Sequence, residues 1–300
     1  MGSRLRPTPR LVLLAAQSRV RNRQSVRRAA VNASAHYDIG NDLYQRMLDK
    51  RMIYSAAYWR QSESLDAAQE AKLDLICRKL HLEPGMTLLD IGCGWGGFAQ
   101  FAAERYDVRV TGISPAVEQV KVATDRCAGL PVDIRQADYR TITGRFDRIV
   151  SIGMIEHVGS RNLRTFFNRC SDLLTDDGVM LHHMIGSDLS KNRTDPWFDR
   201  YIFPGGALPS LQLLGGALDQ RWVVEDLHNF GPDYDRTLMA WHDNISRRWE
   251  EIPTYDGHFR RTWDYYLLGS AGSFRVRALH LWQIVFTRTR RRSGVYETVR

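Results

Sequence analysis

A short apolar run that leads directly into a cluster of glycines is the segment of this sequence best suited to bind a ligand. The run is Leu-Leu-Asp-Ile at 88–91, and glycines follow at Gly92, Gly94, Gly96 and Gly97. Beyond them the apolar residues take on helical spacing. We predict a buried strand, a glycine turn and a helix whose backbone N–H groups can meet a ligand. Gly92 and Gly94 are expected at positive φ, and Gly96 or Gly97 is expected to let the helix pack close to the strand.

Strand and helix patterns alternate along most of the chain. Strands are predicted at 88–91, 108–113, 132–137, 146–152 and 178–185, with two closing strands at 222–226 and 281–288. Helices are predicted at 67–80, 117–127 and 163–174. Alternation at this spacing indicates an α/β fold with a doubly wound, mostly parallel sheet of seven strands.

Ligands of such sheets bind beyond the carboxyl ends of the strands. The residues that the predicted strands bring there are Gly92, Ser114, Asp138, Ile152 with Glu156, and His183 with Ile185. Taken singly, Glu156 suits a helix N terminus and His183 suits a core position, so neither residue alone specifies a reaction. Residues 187–235, rich in proline, glycine and aromatic residues, are predicted to form an insertion that covers the site.

Composition limits the class of protein. Three hundred residues with 43% hydrophobic side chains suffice for one large α/β domain. No apolar run approaches the roughly 20 residues of a membrane-spanning helix. The four cysteines form no C-x-x-C pair, which argues against a zinc site or a disulfide scaffold and fits a reducing compartment.

The positive charge belongs to the N-terminal segment. The first 37 residues contain eight arginines, no lysine and no acidic residue, so they account for the whole formal charge of +8. We therefore divide the chain into a basic arm at 1–35 and a folded domain at 36–300. Three interpretations of the arm stay open: a solvated tail, a segment that binds anionic lipid head groups, and an organelle transit peptide. No base-stacking motif accompanies the charge, which argues against nucleic-acid binding.

The spacing Asp-x-Gly-x-Gly-x-Gly from Asp90 resembles the first motif of class I S-adenosylmethionine (SAM) methyltransferases. In that family the carboxylate helps to orient SAM, and the glycine loop passes beneath it. The resemblance assigns to the cofactor site Asp90, Gly92, Cys93, Gly94 and Ile152. It also implies that Ser114 and Gln119 replace the acid that usually binds the ribose. Asp138 would accept a hydrogen bond from the adenine amine, and Tyr139 would stack on the ring.

Several further motifs occur in order along the chain. They lie at 36–44, 54–59, 92–97, 153–159, 183–185 and 229–234. Together they resemble the cyclopropane fatty-acyl-phospholipid synthases and the mycolic acid cyclopropane synthases, from about residue 22 to residue 288. Those enzymes transfer a methyl group from SAM to the double bond of an unsaturated acyl chain and then remove a proton to close a cyclopropane ring.

This resemblance implies roles for individual residues. In the resembling enzymes the base that removes the proton is a bound bicarbonate ion. The groups implied to hold it here are Glu156, His183 and Tyr234, with backbone N–H groups at Ala56 and Ile185. Tyr54 and Ser55 would bind the carboxylate of SAM, and we assign His157 a structural role.

Two positions depart from the family pattern. Ala56 stands where these enzymes usually have a cysteine, and Ser270 occupies a turn in which many have another. A catalytic thiol is therefore not expected in the mechanism of this chain.

The resemblance as a whole implies a SAM-dependent methyltransferase that forms cyclopropane rings on unsaturated phospholipid acyl chains at a membrane surface. We expect a cytoplasmic protein that is peripheral on the inner face of the membrane. Three alternatives stay open: a small-molecule N- or C-methyltransferase, a methyl-branched lipid product, and a catalytically silent protein that binds SAM or lipid. The residues leave the oligomeric state open, a homodimer included.

Overall fold

The computed structural model describes residues 40–189 and 195–300. The basic arm expected at 1–35 lies outside these residues, as does the start of the motif at 36–44. None of the described helices is both long enough and apolar enough to cross a membrane.

In the described residues, seven strands form one sheet in the order β3-β2-β1-β4-β5-β7-β6. The strands are β1 Thr87–Ile91, β2 Arg109–Ser114, β3 Val132–Gln136, β4 Phe146–Ile152, β5 Leu174–Gly186, β6 Trp222–Asn229 and β7 His280–Arg288. Strands β1 to β5 pair in parallel, whereas β7 pairs antiparallel with both β5 and β6. The expected doubly wound, mostly parallel sheet is confirmed.

Helices cover both faces of the sheet and the side at which its parallel strands end. They are α1 Asn41–Met47, α2 Leu65–Lys79, α3 Gly97–Tyr106, α4 Val117–Arg126, α5 Leu163–Leu173, α6 Pro196–Tyr201, α7 Leu211–Leu218, α8 Pro232–Arg247 and α9 Gly257–Arg275. The helices predicted from the sequence are α2, α3, α4 and α5, and the ends of α2, α4 and α5 lie within two residues of the expected ones.

Local sequence explains where several helices begin. The hydroxyl of Ser64 accepts a hydrogen bond from the backbone N–H of Ala67 at the start of α2, and the carboxylate of Asp256 accepts one from Phe259 at the start of α9. Such caps satisfy donors that the first turn of a helix leaves unpaired. Pro196, which lacks a backbone donor, occupies the first turn of α6.

The central strand β1 lies where the order of the sheet reverses. Strands β2 and β3 extend from one side of β1, and β4 begins the other side. Residues 88–91 of β1 are buried, which explains the largely apolar sequence of this strand. Such a reversal leaves a crevice at the carboxyl edge of the sheet, where ligands of α/β proteins bind.

A layer of aromatic side chains covers this carboxyl edge. Helices α1, α8 and α9 contribute Tyr44, Trp241 and Trp263, which are all buried. The range 187–235, predicted as one insertion, is divided between three places. Its first part, including α6, adjoins the aromatic layer, whereas α7 packs against α5 and residues 222–229 form β6 of the sheet.

Two glycines at the start of α3 permit close packing. A Cβ added to Gly97 would lie 2.4 Å from the carbonyl oxygen of Arg51. Gly96 has a φ of +81°, and a Cβ there would lie 3.0 Å from the Cβ of Ala123. Close approach at these glycines was predicted, but their nearest neighbours are the loop at 49–55 and helix α4 rather than the strand, because the start of α3 lies between those two elements.

Candidate active site

Two adjoining cavities lie at the carboxyl edge of the sheet. The first lies over the glycine loop that follows β1, and the second lies between the sheet and the aromatic layer. Four of the described residues line both cavities: Tyr54, Ser55, Gly153 and His157. A group bound in one cavity can therefore meet a group bound in the other along this shared wall.

Every residue that the sequence assigns to cofactor binding lines the first cavity. These residues are Tyr54, Ser55, Asp90, Gly92, Cys93, Gly94, Ser114, Gln119, Asp138, Tyr139 and Ile152. They come from the loop before α2, the carboxyl ends of β1 to β4 and the first turn of α4. Gly92 and Gly94 have φ values of +90° and +54°, as expected.

Asp90 is a buried acid in the wall of the first cavity. Burial raises the pKa of its carboxyl to about 7, and the charge of Lys72 opposes that rise. The Oδ2 atom of Asp90 has no hydrogen-bond partner among the described residues. A buried polar atom without a partner is costly, and a donor on a ligand would satisfy it.

Two neutral side chains stand where an acid is usual. The hydroxyl of Ser114 donates to Oε1 of Gln119 at 3.1 Å and accepts from the backbone N–H of Ala116 at 3.2 Å. Both side chains are buried, and these bonds fix their orientation. Because Oε1 of Gln119 already accepts a bond, its amide N–H groups are the donors that it can present to a hydroxyl group of a ligand.

Asp138 is held by a neighbour, Arg140, that was not predicted from the sequence. Arg140 donates from Nε and Nη2 to the two carboxylate oxygens at 2.7 Å each, and its backbone N–H donates at 2.9 Å. The guanidinium also lies over the ring of Tyr139, 5.0 Å from its centroid. This two-pronged contact fixes the carboxylate at the cavity wall. An arginine two residues after the acid was the signal available in the sequence.

The second cavity has a volume of about 560 Å³ and contains four of the five residues assigned to catalysis. Glu156, His183, Ile185 and Tyr234 line it. Several residues between 187 and 208 also line it, whereas residues 211–229 do not. The part of the predicted insertion that covers the site is therefore its first part, together with Tyr234.

Ala56 departs from its predicted position. It is buried and lines neither cavity, although its neighbours in sequence, Tyr54 and Ser55, line both. The next residue, Ala57, donates its backbone N–H to the hydroxyl of Thr237 at 3.0 Å. This bond draws the segment towards α8 and away from the cavities.

Glu156 lies in a short 3-10 helix after β4, at Ile155–His157. The backbone N–H of Ile185 donates to its Oε1 atom at 2.7 Å, whereas Oε2 has no partner among the described residues. Burial raises the pKa of this carboxyl to about 7. The N–H of Ile185, assigned to an anion, thus binds Glu156 instead, because the ends of the paired strands β4 and β5 bring the two residues side by side.

His183 presents a neutral imidazole to the second cavity. Burial lowers its pKa well below the ordinary value, and the charges of Lys72 and Lys79 add to the effect. Nε2 of Gln283 lies 3.3 Å from Nδ1 of His183. With the Gln283 amide in this orientation, its nitrogen donates to Nδ1, and the ring proton is then on Nε2. That Nε2 atom is buried and has no partner among the described residues.

Aromatic rings form much of the remaining wall. The hydroxyl of Tyr54 lies 2.7 Å from that of Tyr266, and the Tyr54 ring packs 5.2 Å from Trp241. The ring of Tyr234 packs 4.6 Å from Phe274. Such walls exclude water, and the faces of aromatic rings stabilise positive charge beside them.

Two further residues at the site were not predicted from the sequence. Lys72 is fully buried and lines the first cavity, and His157, assigned a structural role, lines both cavities. Burial lowers the pKa of His157 to about 4. The signal for Lys72 was its position on the apolar face of α2, four residues after Ala68 and four before Ile76.

Ser270 lines the second cavity, but not from the turn expected for it. It lies well inside α9, which runs unbroken from Gly257 to Arg275. The helix continues through this point because Trp263, Leu267 and Phe274 bury one of its faces in the aromatic layer.

Sequence comparison identifies close relatives. A profile of the family described as mycolic acid cyclopropane synthetase matches residues 24–284. The chain is 49% identical over 274 residues to the cyclopropane-fatty-acyl-phospholipid synthase of Escherichia coli (strain K12). That alignment covers 91% of this chain and 72% of the relative.

Solved structures agree with the sequence comparison. The cyclopropane synthase MmaA2 from Mycobacterium tuberculosis matches with a TM-score of 0.81 and 30% identity, over 86% of this chain and 97% of that one. Mycolic acid cyclopropane synthase CmaA1, solved in complex with SAH and CTAB, matches with a TM-score of 0.80 and 32% identity, over 87% and 98% of the two chains. The chain therefore belongs to the mycolic acid cyclopropane synthetase family of SAM-dependent methyltransferases.

Proposed function

We propose that the protein transfers a methyl group from S-adenosyl-L-methionine to the double bond of an unsaturated phospholipid acyl chain and closes a cyclopropane ring there. One observation carries the proposal: Oε2 of Glu156 and Nε2 of His183 are buried polar atoms without partners among the described residues, in the wall of an aromatic cavity. That cavity adjoins the first one through Tyr54 and Ser55. Similarity to the Escherichia coli synthase over most of the chain supports the same activity.

The first cavity suits SAM. Asp90, whose Oδ2 atom lacks a partner among the described residues, would accept from the ammonium of the amino-acid part. Gln119 would donate to a ribose hydroxyl, Asp138 would accept from the adenine amine, and Tyr139 would contact the ring. When bound there, SAM supplies a methyl group activated by its sulfonium charge.

The wall between the cavities sets the reaction geometry. An alkene is a weak nucleophile, so its reacting carbon must be held close to the methyl group and in line with the bond that breaks. Tyr54, Ser55 and Gly153 bound the place where donor and acceptor meet. Methylation leaves a carbocation on the acyl chain. The rings around the second cavity exclude water from that cation and stabilise its charge.

Ring closure requires removal of a proton from the new methyl group. We infer that bicarbonate is the base and that Glu156, His183 and Tyr234 hold it. The ion has an O–H donor and acceptor oxygens, which match the acceptor Oε2 of Glu156 and the N–H donor of His183. When bound, bicarbonate supplies a small base inside a cavity whose own imidazole is neutral and has its Nδ1 atom engaged by Gln283.

A direct assay tests this function. The full chain is incubated with methyl-labelled SAM and vesicles of a phospholipid that carries one cis double bond, and the lipids are analysed by mass spectrometry and proton NMR. We expect a product heavier by one CH2 group that carries cyclopropane protons. Vesicles of saturated phospholipid are the control and should gain no label. A methyl-branched chain, or no lipid product despite SAM binding, would contradict the proposal.

We further infer that the protein binds peripherally to the inner face of a membrane. Support comes from one surface, here called the α6–α9 face. Its exposed side chains are Arg200, Tyr201, Arg261, Tyr265 and Leu268. Trp197 packs against Tyr265 with ring centroids 4.5 Å apart, and Phe198 on the same helix lines the second cavity. Arginine beside amphipathic aromatic rings suits an anionic lipid surface, and the four cysteines, all free thiols, fit the reducing side of the membrane.

A further inference from the structure

Lys72 is a buried cation that the mechanism above does not use. It lies in the middle of α2, exposes no surface to solvent and lines the first cavity. Its Nζ atom donates to Oγ of Ser55 at 2.9 Å. An ammonium group has three N–H donors, and this bond engages one of them. Full burial of a lysine is rare unless opposite charge or a ligand compensates it.

Two carboxylates lie near enough to influence Lys72. Burial lowers the pKa of Lys72 to about 7, and the charges of Asp49 and Asp90 oppose that change. Asp49 already accepts hydrogen bonds from the backbone N–H groups of Arg51 at 2.9 Å and Ile53 at 2.8 Å. Asp90, in contrast, shares the wall of the first cavity with Lys72. The first cavity is therefore lined by one acid and one amine whose charges influence each other.

Ser55, which is hydrogen-bonded to Lys72, provides a second donor at the wall between the cavities. Because its Oγ atom accepts from Lys72, its hydroxyl proton is left to donate to a second partner. The side-chain amide of Gln69, almost one turn before Lys72 on α2, donates to the carbonyl oxygen of Ser55 at 2.9 Å and so fixes the backbone there. The hydroxyl of Ser55 and the ammonium of Lys72 are thus two adjacent donors suited to an anion.

We propose that Lys72, together with Ser55, binds the carboxylate of the amino-acid part of SAM, while Asp90 binds its ammonium group. The proposal rests on the function proposed above, since it takes SAM as the ligand. The amino-acid part of SAM carries one positive and one negative charge, and the two side chains match them in sign. Lys72 is therefore a binding residue that selects ligands with an intact amino-acid carboxylate.

Isothermal titration calorimetry with two ligands tests this assignment. One ligand is S-adenosylhomocysteine, and the other is its analogue that lacks only the carboxylate. In the unmodified protein the analogue should bind at least about tenfold more weakly, or about 1.4 kcal/mol. In Lys72→Met the ratio of the two dissociation constants should fall to about threefold or less. A ratio that Lys72→Met leaves unchanged overturns the proposal, as does a ratio near one in the unmodified protein.

Lys79→Met is the matched control. Lys79 lies on the same helix and is equally buried, but its Nζ atom pairs with Asp226 at 3.0 Å and it lines neither cavity. This variant should lower the melting temperature and leave the ratio unchanged. Because both ligands are measured on the same variant, a general disturbance of the fold affects both and cancels in the ratio.

A crystal structure of the unmodified protein with S-adenosylhomocysteine decides the question if Lys72→Met does not fold. Nζ of Lys72 should then lie within about 4 Å of a carboxylate oxygen of the ligand, and a longer separation overturns the proposal. Both readouts concern binding alone. They can therefore fail while the vesicle assay still yields a cyclopropane lipid, and they can succeed while that assay fails.

Discussion

Burial determines the protonation of Glu156, the acid at the centre of the proposed anion site. The pKa of its carboxyl rises from 4.5 to about 7 in the folded protein because the side chain is removed from water. The folded protein therefore holds this proton up to about pH 7, while the unfolded chain releases it near pH 4.5. Between these two values only the unfolded chain is stabilised by ionisation, so the stability of the folded state falls as the pH rises from 4.5 to about 7 and changes no further above that.

We expect Glu156→Gln to remove this pH dependence and to abolish ring formation. The amide oxygen of glutamine can still accept the N–H of Ile185, so the local structure is retained. A rise of the pKa from 4.5 to about 7 corresponds to at most about 3 kcal/mol, so the variant should be more stable than the unmodified protein by up to that amount at pH 8. Denaturant unfolding at pH 5 and pH 8 measures the difference.

The control is the pH profile itself. The stability gained by Glu156→Gln should shrink as the pH falls from 8 to 5, since both proteins then bury a neutral group. A gain that is independent of pH would mean that the Glu156 carboxyl does not titrate in this range. Unaltered product formation in the vesicle assay would refute its part in the anion site.

Single residues differ in how far the sequence could place them. Glu156 and His183 were predictable because Glu156 follows β4 and His183 lies near the carboxyl end of β5, and parallel strands present those ends together. The engagement of the Ile185 N–H by Glu156 was not predictable, since it depends on the registry of paired strands and on side-chain rotamers. Lys72 was missed because a lysine on an amphipathic helix is ordinarily a surface residue.

The loop at 49–55 is the element that joins the cofactor site to the helices around it. It carries Tyr54 and Ser55 to the wall between the cavities, and Asp49 accepts two backbone N–H bonds within it. The start of α3 packs against the same loop at Gly97. The position of the shared wall therefore depends on the contact between Gly97 and this loop, which leaves no room for a Cβ atom on residue 97.

Gly97→Ala should destabilise the protein and weaken cofactor binding. The new Cβ would lie 2.4 Å from the carbonyl oxygen of Arg51, and backbone must move to relieve the overlap. Overpacking of this kind costs about 1–3 kcal/mol, and displacement of the loop should also reduce the affinity for S-adenosylhomocysteine. Denaturant unfolding and calorimetric titration measure the two effects.

Gly215→Ala is the matched control for that substitution. Gly215 is an exposed residue inside α7, and a Cβ there would have no atom within 4 Å. Alanine favours a helix over glycine, so this variant should gain up to about 1 kcal/mol with no change in affinity. Equal effects of the two variants would show that crowding at Gly97 is not the cause.

Elements were predictable where their pattern was regular. Short apolar runs alternate with segments of helical apolar spacing, and this pattern predicted the strands β1 to β5 and the helices α2, α4 and α5. The runs are continuous because a doubly wound sheet buries its central strands on both faces. The range 187–235 was harder: the strand predicted at 222–226 is confirmed as part of β6, but the density of proline and glycine suggested one covering segment, of which only the first part and Tyr234 line the second cavity. The turn expected at Ser270 failed because burial of one face keeps α9 helical through two glycines.

At the scale of the whole molecule, the net positive charge belongs to the N-terminal arm, whereas exposed apolar side chains lie on the folded domain. Residues 38–300 carry equal numbers of acidic and basic side chains, so the folded body has no net charge. The membrane attraction proposed for this body would then come from a local surface. The α6–α9 face combines exposed aromatic and arginine side chains, and its helix α6 reaches the second cavity through Phe198. A lipid could enter the cavity from that side without leaving the bilayer entirely.

Two double substitutions to aspartate test whether the α6–α9 face is the surface that contacts the membrane. Tyr265 and Leu268 on the α6–α9 face expose 59% and 43% of their surfaces, and Val223 and Val224 on the edge strand β6 expose 41% and 48%. Both double variants add the same charge at similar exposure. Sedimentation with anionic vesicles in high salt, which screens the arginines of the arm, should show at least about tenfold weaker binding for Tyr265→Asp with Leu268→Asp. The β6 variant should bind like the unmodified protein, and both should methylate detergent-dispersed lipid. Equal binding of the two variants would place the membrane contact elsewhere, because only a face that inserts apolar side chains loses affinity when they become charged.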